Sequence, residues 1–359
     1  MSKEIKCVVW DLDCTIWDGV LLESGTVTLK PGIYEIICEL DRRGILQSVA
    51  SKNNYEDAIA KLREFGIEEY FLYPEIHWNS KSSSIEKIRK NLNIGIDTFA
   101  FIDDQPFELE EVQSVHNDIL CIHVNEYKSL LDLPRLQPKR ITEDSGRRRL
   151  MYLENLKRTK DEEEYEGPKE EFLASLGMNF VISEAREEDL QRAEELTVRT
   201  NQLNSTGITY DYDELNYYRN HPDYLLLVCE LSDKYGSYGK IGLTLVKRTE
   251  EADCLKLLLM SCRVMSRGVG TILLTYLMER TKQAGKRFLA EFRQTDRNRM
   301  MFVTYRLAGF KETSNENGIL ILEHNLENIN PYPHYINIQF PETPTDVDRG
   351  EVEICNKQL

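Results

Sequence analysis

The run Cys7-Val8-Val9-Trp10-Asp11-Leu12-Asp13-Cys14-Thr15-Ile16-Trp17 constrains this chain more than any other. Four apolar residues end abruptly in two aspartates spaced by one residue, then a cysteine and a threonine. An unbroken apolar run reads as a strand buried on both faces, the kind that parallel sheets use. Such a strand delivers its carboxylates to the carboxyl edge of the sheet, where α/β folds keep their chemistry. Cys14 adds a thiol at the place where metal and phosphate chemistry would occur.

The first part of the chain, residues 1–135, repeats the pattern. Lys6–Trp10 predicts a strand. Pro31 opens a helix that Gly44 closes, with Ile33, Ile36, Ile37 and Leu40 on one face. Ile45–Ala50 predicts the next strand, and Asn54–Phe65 a helix stopped at Gly66. Phe71–Tyr73 is short and apolar, Ser84–Leu92 predicts a helix, and Phe99–Ile102 and Ile119–Val124 predict strands. Strands alternating with helices imply an α/β domain with a parallel sheet covered on both faces. Residues 136–177 read as a charged helical linker: Arg147-Arg148-Arg149 and Asp161-Glu162-Glu163-Glu164 flank Leu150, Met151, Leu153 and Leu156. A second α/β domain spans 178–330, with helix patterns at Glu187–Arg199 and Ile272–Ala284 and strand patterns at Tyr224–Cys229, Lys240–Val246, Cys254–Ser261 and Arg287–Phe292. Residues 331–359 read as a polar, extended or disordered tail.

Composition excludes some partners. A formal charge of −16 argues against nucleic acid and against an anionic membrane surface. Eight scattered cysteines show no CxxC spacing, which argues against zinc and suits reduced thiols. With no signal-peptide pattern and no apolar run near the length of a membrane span, a soluble cytoplasmic protein is expected. The six histidines show no ligand spacing and read as structural or exposed.

Four elements of the first domain end in polar residues at one sheet edge: Asp11, Asp13 and Thr15; Ser51 with Lys52 and Asn53; Lys81; and Asp103-Asp104. Clustered carboxylates repel unless a cation sits among them, and Mg²⁺ prefers a few carboxylates, waters and phosphate oxygens. A carboxylate can attack phosphorus, while a hydroxyl and a lysine hold the phosphate oxygens.

Asp11-Leu12-Asp13-Cys14-Thr15, Ser51, Lys81 and Asp103-Asp104 resemble the four motifs of the haloacid dehalogenase (HAD) superfamily. The resemblance implies a Rossmann-like domain, Asp11 as phosphoryl acceptor and Asp13 as general acid/base. It implies that Thr15, Ser51 and Lys81 hold phosphate, and that Asp11, Asp103, Asp104 and the Asp13 backbone carbonyl hold Mg²⁺. The stretches between Thr15 and Pro31 and between Ser51 and Lys81 are too short for a large cap, which suits a bulky or protein-borne substrate. Arg43–Asn53, Phe101–Glu108 and Arg199-Thr200-Asn201-Gln202-Leu203-Asn204 are further similar to the FkbH-like subgroup, in which the HAD domain is followed by a GNAT-like acyltransferase-fold domain. That likeness implies a phosphorylated three-carbon metabolite, 1,3-bisphosphoglycerate, as substrate. It implies an acyl carrier protein, through its phosphopantetheine arm, as the acceptor of a glyceryl thioester for polyketide-type biosynthesis. Cys14 would take the glyceryl group; otherwise it is a small residue filling space behind the nucleophile.

Arg267-Gly268-Val269-Gly270-Thr271 before a helix, with Asn298 and Tyr305 downstream, resembles the GNAT pattern for gripping acyl-CoA. Met265 stands where that family's loop carries Gln or Arg, which leaves carrier docking, a structural role and acetyl transfer all open. Three classes therefore compete: a glyceryltransferase/phosphatase, a Mg²⁺-dependent phosphatase with Cys14 inert, and a non-catalytic scaffold that binds a carrier.

Overall fold

The computed structural model describes residues 3–24 and 26–341, and the last 18 residues of the expected tail lie outside them. The chain divides into two compact units, Met1–Leu156 and Lys157–Leu359.

In the first unit five parallel strands, β1 (Cys7–Trp10), β2 (Leu46–Ser51), β3 (Glu75–Ile76), β4 (Phe99–Asp103) and β5 (Leu120–His123), stand in the order β3-β2-β1-β4-β5. Strand side chains alternate between faces. Val8 and Trp10 accordingly join one core cluster, with Ile33, Ile37 and Leu62 from the helices Ile33–Arg42 and Tyr55–Glu64. Cys7 and Val9 join the other, with Ile85, Ile88 and Val112 from Lys81–Leu92 and Pro106–Val115. The apolar run of the opening strand is explained by burial on both sides.

Three differences from the sequence pattern have local causes. Pro31-Gly32 forms a turn rather than a helix start: Gly32 takes φ 80°, a left-handed conformation that favours glycine, and the helix begins at Ile33. The third strand is Glu75–Ile76, whereas Phe71 makes only an isolated bridge to Gln47. The Ser80 hydroxyl accepts from the Ser83 N–H, so the helix expected from Ser84 starts at Lys81. Among the described residues between Thr15 and Pro31 lie only a two-residue ribbon (Trp17–Asp18 with Thr28–Leu29) and the short helix Leu21–Ser24.

Among the described residues the second unit carries eight strands: β6 (Met178–Glu184), β7 (Tyr224–Asp233), β8 (Gly236–Arg248), β9 (Ala252–Met260), β10 (Arg287–Phe292), β11 (Lys311–Glu316), β12 (Ile319–His324) and β13 (Ile336–Gln339). Their order is β11-β12-β10-β9-β8-β7-β6-β13. Neighbours are antiparallel except β9·β10 and β6·β13. β9 and β10 pair only from Ala252↔Arg287 to Leu255↔Ala290 and then separate. The Leu203–Ser205 segment enters that gap: Ser205 N–H donates to Leu258 O at 2.9 Å, Met260 N–H to Leu203 O at 2.9 Å and Arg293 N–H to Ser205 O at 3.0 Å.

The segment read as a charged linker is helical (Glu143–Gly146, Arg148–Glu164, Lys169–Ser175), and Phe172, Leu173 and Leu176 sit in the core of the second unit. The tail reading is corrected for Ile336–Gln339. These residues pair in parallel with Met178–Val181, because Ile336 finds a buried place in the same core that its polar neighbours hid in the sequence.

Candidate functional site

Register builds the first site. Trp10 lies opposite both Val49 and Ile102, so one residue further Asp11 emerges between β2 and β4, beside Asp103. Its backbone N–H donates to Ile102 O at 2.9 Å, which continues the ladder past the strand end. Oxygens of Asp11, Asp103 and Asp104 come within 4.8 Å of one another. Lys81, held at the first turn of its helix, reaches in from the other side. Its Nζ is 2.9 Å from Asp11 Oδ1 and 2.5 Å from Asp103 Oδ2. The Ser51 hydroxyl also hydrogen-bonds Asp11.

The electrostatics are unbalanced in one direction. Burial pushes the Asp11 carboxyl up; Lys81 opposes this and Asp103 reinforces it. Burial raises Asp103 too, against Lys81, and raises Asp104, where Asp11 adds repulsion. For Lys81, burial works against the ammonium, but Asp11 and Asp103 outweigh it and hold the pKa above the ordinary value. Three carboxylates thus face one ammonium. One oxygen of Asp104 is buried with no hydrogen-bond partner, as is the Thr15 hydroxyl. An all-oxygen carboxylate set with a charge deficit and an orphaned oxygen fits a hard divalent cation such as Mg²⁺.

Asp13 stands apart from that cluster. Its Oδ1 accepts from Trp17 Nε1 at 2.7 Å and the Leu21 N–H at 3.0 Å, and its Oδ2 accepts from Asn53 Nδ2 at 2.9 Å. Three donors fix the carboxylate's direction. Trp17 and the Leu21 amide were not singled out for this in the sequence, because nothing local marks a ring or an amide as a donor to a residue upstream.

Cys14 takes φ 55°, an uncommon conformation for a side-chain-bearing residue, and its thiol is partly exposed, 3.7 Å from Gly19 O. Burial raises its pKa, as do Asp104 and Asp13, while the bond to Gly19 and the charge of Lys30 lower it. The resting group is the thiol. Tyr55, Trp78 and Phe107, 51%, 67% and 71% exposed, each lie within four residues of the end of β2, β3 or β4. Their placement at the site's edge becomes visible only once the helix starts are known.

The second unit holds a cavity of about 560 Å³ lined by Leu203, Leu258, Met260, Met265, Met301 and Tyr335, among others. Gly268, Gly270 and Thr271 reach it; Arg267, Asn298 and Tyr305 do not line it. Arg267 is buried, with Nη1 2.9 Å from Glu162 Oε2. Asn298 donates to Asn204 O at 3.0 Å and Arg293 O at 2.9 Å and accepts from the Thr295 N–H at 2.8 Å, so it ties its own loop to the one that carries Asn204. Tyr305 is fully buried, packed on Phe310 beside Ser205, and burial pushes its phenol strongly up. The sequence placed these three by spacing along the chain, and packing turns each of them inward. Asn204 of the polar run accepts from the N–H groups of Thr206 and Gly207 and shapes the turn that follows.

No protein-family model matches the chain, and no curated protein matches it either. Solved structures do. The N-terminal part of a Bacteroides fragilis protein containing a phosphatase domain, complexed with Mg, is 29% identical with a TM-score of 0.30, over 42% of this chain and 39% of that one. The ribosomal-protein-S18-alanine N-acetyltransferase of Escherichia coli is 16% identical with a TM-score of 0.33, over 43% of this chain and 99% of that one. The PaiA N-acetyltransferase of Thermoplasma acidophilum, in complex with coenzyme A, is 17% identical with a TM-score of 0.32, over 40% and 98%. Among the described residues no helix is long and apolar enough to cross a membrane.

Proposed function

We propose that this protein is a bifunctional glyceryltransferase/phosphatase. It takes the glyceryl group of 1,3-bisphosphoglycerate, removes the remaining phosphate, and loads the product as a thioester on an acyl carrier protein. The observation that carries the reading is the convergence of Asp11, Asp103 and Asp104 around Lys81, with the partly exposed Cys14 thiol next in sequence to the separately oriented Asp13.

Asp11, Asp103, Asp104 and the Asp13 backbone carbonyl would hold Mg²⁺. Bound there, the ion would neutralise phosphate charge and screen the approach of a carboxylate to phosphorus. Asp11 attacks phosphorus, and Lys81, Ser51 and Thr15 hold the phosphoryl oxygens. Asp13, aimed by Trp17, Leu21 and Asn53, gives a proton to the leaving oxygen and later takes one from water. At the acyl phosphate the Cys14 sulfur bonds to the acyl carbon, the carbon–oxygen bond to phosphate breaks, and the thiol proton leaves with the phosphate. The carrier's thiol then displaces Cys14 by exchange. An uncapped site with the exposed Tyr55, Trp78 and Phe107 a few residues beyond three of its strand ends suits a protein-borne acceptor, since exposed aromatics are the usual anchors of protein interfaces.

The raised Cys14 thiol favours a second reading, a Mg²⁺-dependent phosphatase without acyl transfer. One experiment separates them: the protein with Mg²⁺, holo carrier protein and a source of 1,3-bisphosphoglycerate, read by intact mass of the carrier. A glyceryl increment that disappears with Cys14→Ala supports the transferase. Phosphate release with an unmodified carrier supports the phosphatase, and a phosphoglyceryl increment refutes the dephosphorylation step.

A further inference from the structure

The cavity of the second unit is apolar and poor in charge. Four methionines, Met260, Met265, Met300 and Met301, line it with Leu203, and its charged side chains are Lys169 and Glu170. Methionine-rich walls accommodate a slim flexible chain without dictating its shape. At one end lies the N-terminus of the 15-residue helix Val269–Gln283, preceded by Gly268 at φ 79°. A glycine there ordinarily leaves room for an anion to approach backbone N–H groups. Here the room is narrowed: the Tyr335 phenol oxygen lies so close to the place of a Gly268 Cβ that a side chain there would clash with it.

Tyr335 is held there firmly. The segment that carries it runs along the same helix. Thr275 Oγ1 donates to Asn330 O at 3.2 Å, Tyr332 Oη donates to Glu279 Oε2 at 2.7 Å, and the Phe340 ring stacks on Tyr276 at 5.5 Å. Immediately after Tyr335 the chain enters the sheet as β13.

We infer that Tyr335 is a specificity-determining residue. It masks the anion-binding end of the cavity, so the cavity takes an uncharged pantetheine-like thiol arm and draws no benefit from the diphosphate of coenzyme A. This rests on the proposed reading that a carrier's arm enters here. A carrier presents its arm from a protein surface and needs no nucleotide anchor, whereas free coenzyme A depends on one.

Calorimetry on the full chain with pantetheine and with coenzyme A tests the inference. Wild type binds the two within about threefold of each other. An anion freed to reach a helix N-terminus gains up to about tenfold, so Tyr335→Ala tightens coenzyme A relative to pantetheine by about that factor. Tyr335→Phe, which removes only the oxygen and keeps the packed ring, tightens coenzyme A in the same direction. Coenzyme A binding wild type about tenfold more tightly than pantetheine overturns the inference alone. So does a failure of both variants to gain coenzyme A affinity. Absence of pantetheine binding to wild type overturns the inference together with the arm-binding reading.

Discussion

Lys81 can be removed without enlarging or shrinking the side chain much, by Lys81→Met. Its ammonium is buried 2.9 Å from Asp11 Oδ1 and 2.5 Å from Asp103 Oδ2. At an effective dielectric near 20, contacts at those distances are each about 6 kcal/mol of attraction, and each pair among the three carboxylates repels by about 3 kcal/mol. Protonation of Asp11 or Asp103 relieves much of the imbalance left behind. Deleting one partner of a buried ion pair costs about 3–5 kcal/mol, or about 10 °C for a unit of this size. The three tryptophans, Trp10, Trp17 and Trp78, all belong to the first unit, and Trp10 and Trp17 are fully buried, so tryptophan fluorescence reports this unit alone. In EDTA the variant melts about 10 °C below wild type. Millimolar Mg²⁺ then raises the variant's midpoint more than the wild type's, because a dication meets a more negative pocket and stabilises by mass action. A variant melting within about 2 °C of wild type in EDTA, or one that gains nothing extra from Mg²⁺, refutes the charge accounting of the site.

Asp13→Asn lowers turnover of p-nitrophenyl phosphate by about 10²–10⁴-fold while leaving Mg²⁺-dependent stabilisation intact, since the Asp13 side chain is outside the carboxylate cluster. Burial lowers the His324 pKa below its ordinary 6.5, and its Nδ1 accepts from the Leu326 N–H at 3.0 Å. The stability this contributes is complete above 6.5 and drains away as pH falls toward the lower folded value. Melting of the second unit, followed by circular dichroism, should therefore drop below that pH, and His324→Gln should remove that part of the slope. Arg158→Met strands Asp233, whose two oxygens accept from Arg158 at 2.6 and 2.8 Å with both side chains almost wholly buried, and costs about 3–5 kcal/mol on the same melt.

The first site was legible because each of its residues directly follows an apolar run or opens a helix. Asp11 and Asp103 need no tertiary information beyond the rule that parallel strands share a carboxyl edge, and the register Trp10↔Ile102 then makes them neighbours. Asn53 and Trp17 could be seen as residues but not as partners of Asp13, since that depends on how two loops fold back over a strand end. Two of the missed elements share a cause. The helix Pro106–Val115 has a weak apolar stripe, with Val112 its buried hydrophobic residue, and β11 is exposed along its length, so neither prints a period on the sequence.

The second unit shows why a motif can hold in its backbone and fail in its side chains. Gly268 and Gly270 reach the cavity because their place is fixed by the helix start that follows them. Arg267, Asn298 and Tyr305 were placed by distance along the chain, but a strand gap filled by Leu203–Ser205 offers Asn298 and Tyr305 nearer partners, and Glu162 offers one to Arg267. Asn298 closes on Asn204 O, Tyr305 lies beside Ser205, and Arg267 turns to Glu162. One insertion of three residues into the sheet therefore converts two of the expected ligand contacts, those of Asn298 and Tyr305, into internal ones. The cavity that remains is lined by Gly268, Gly270 and Thr271 of the expected loop and not by Tyr305.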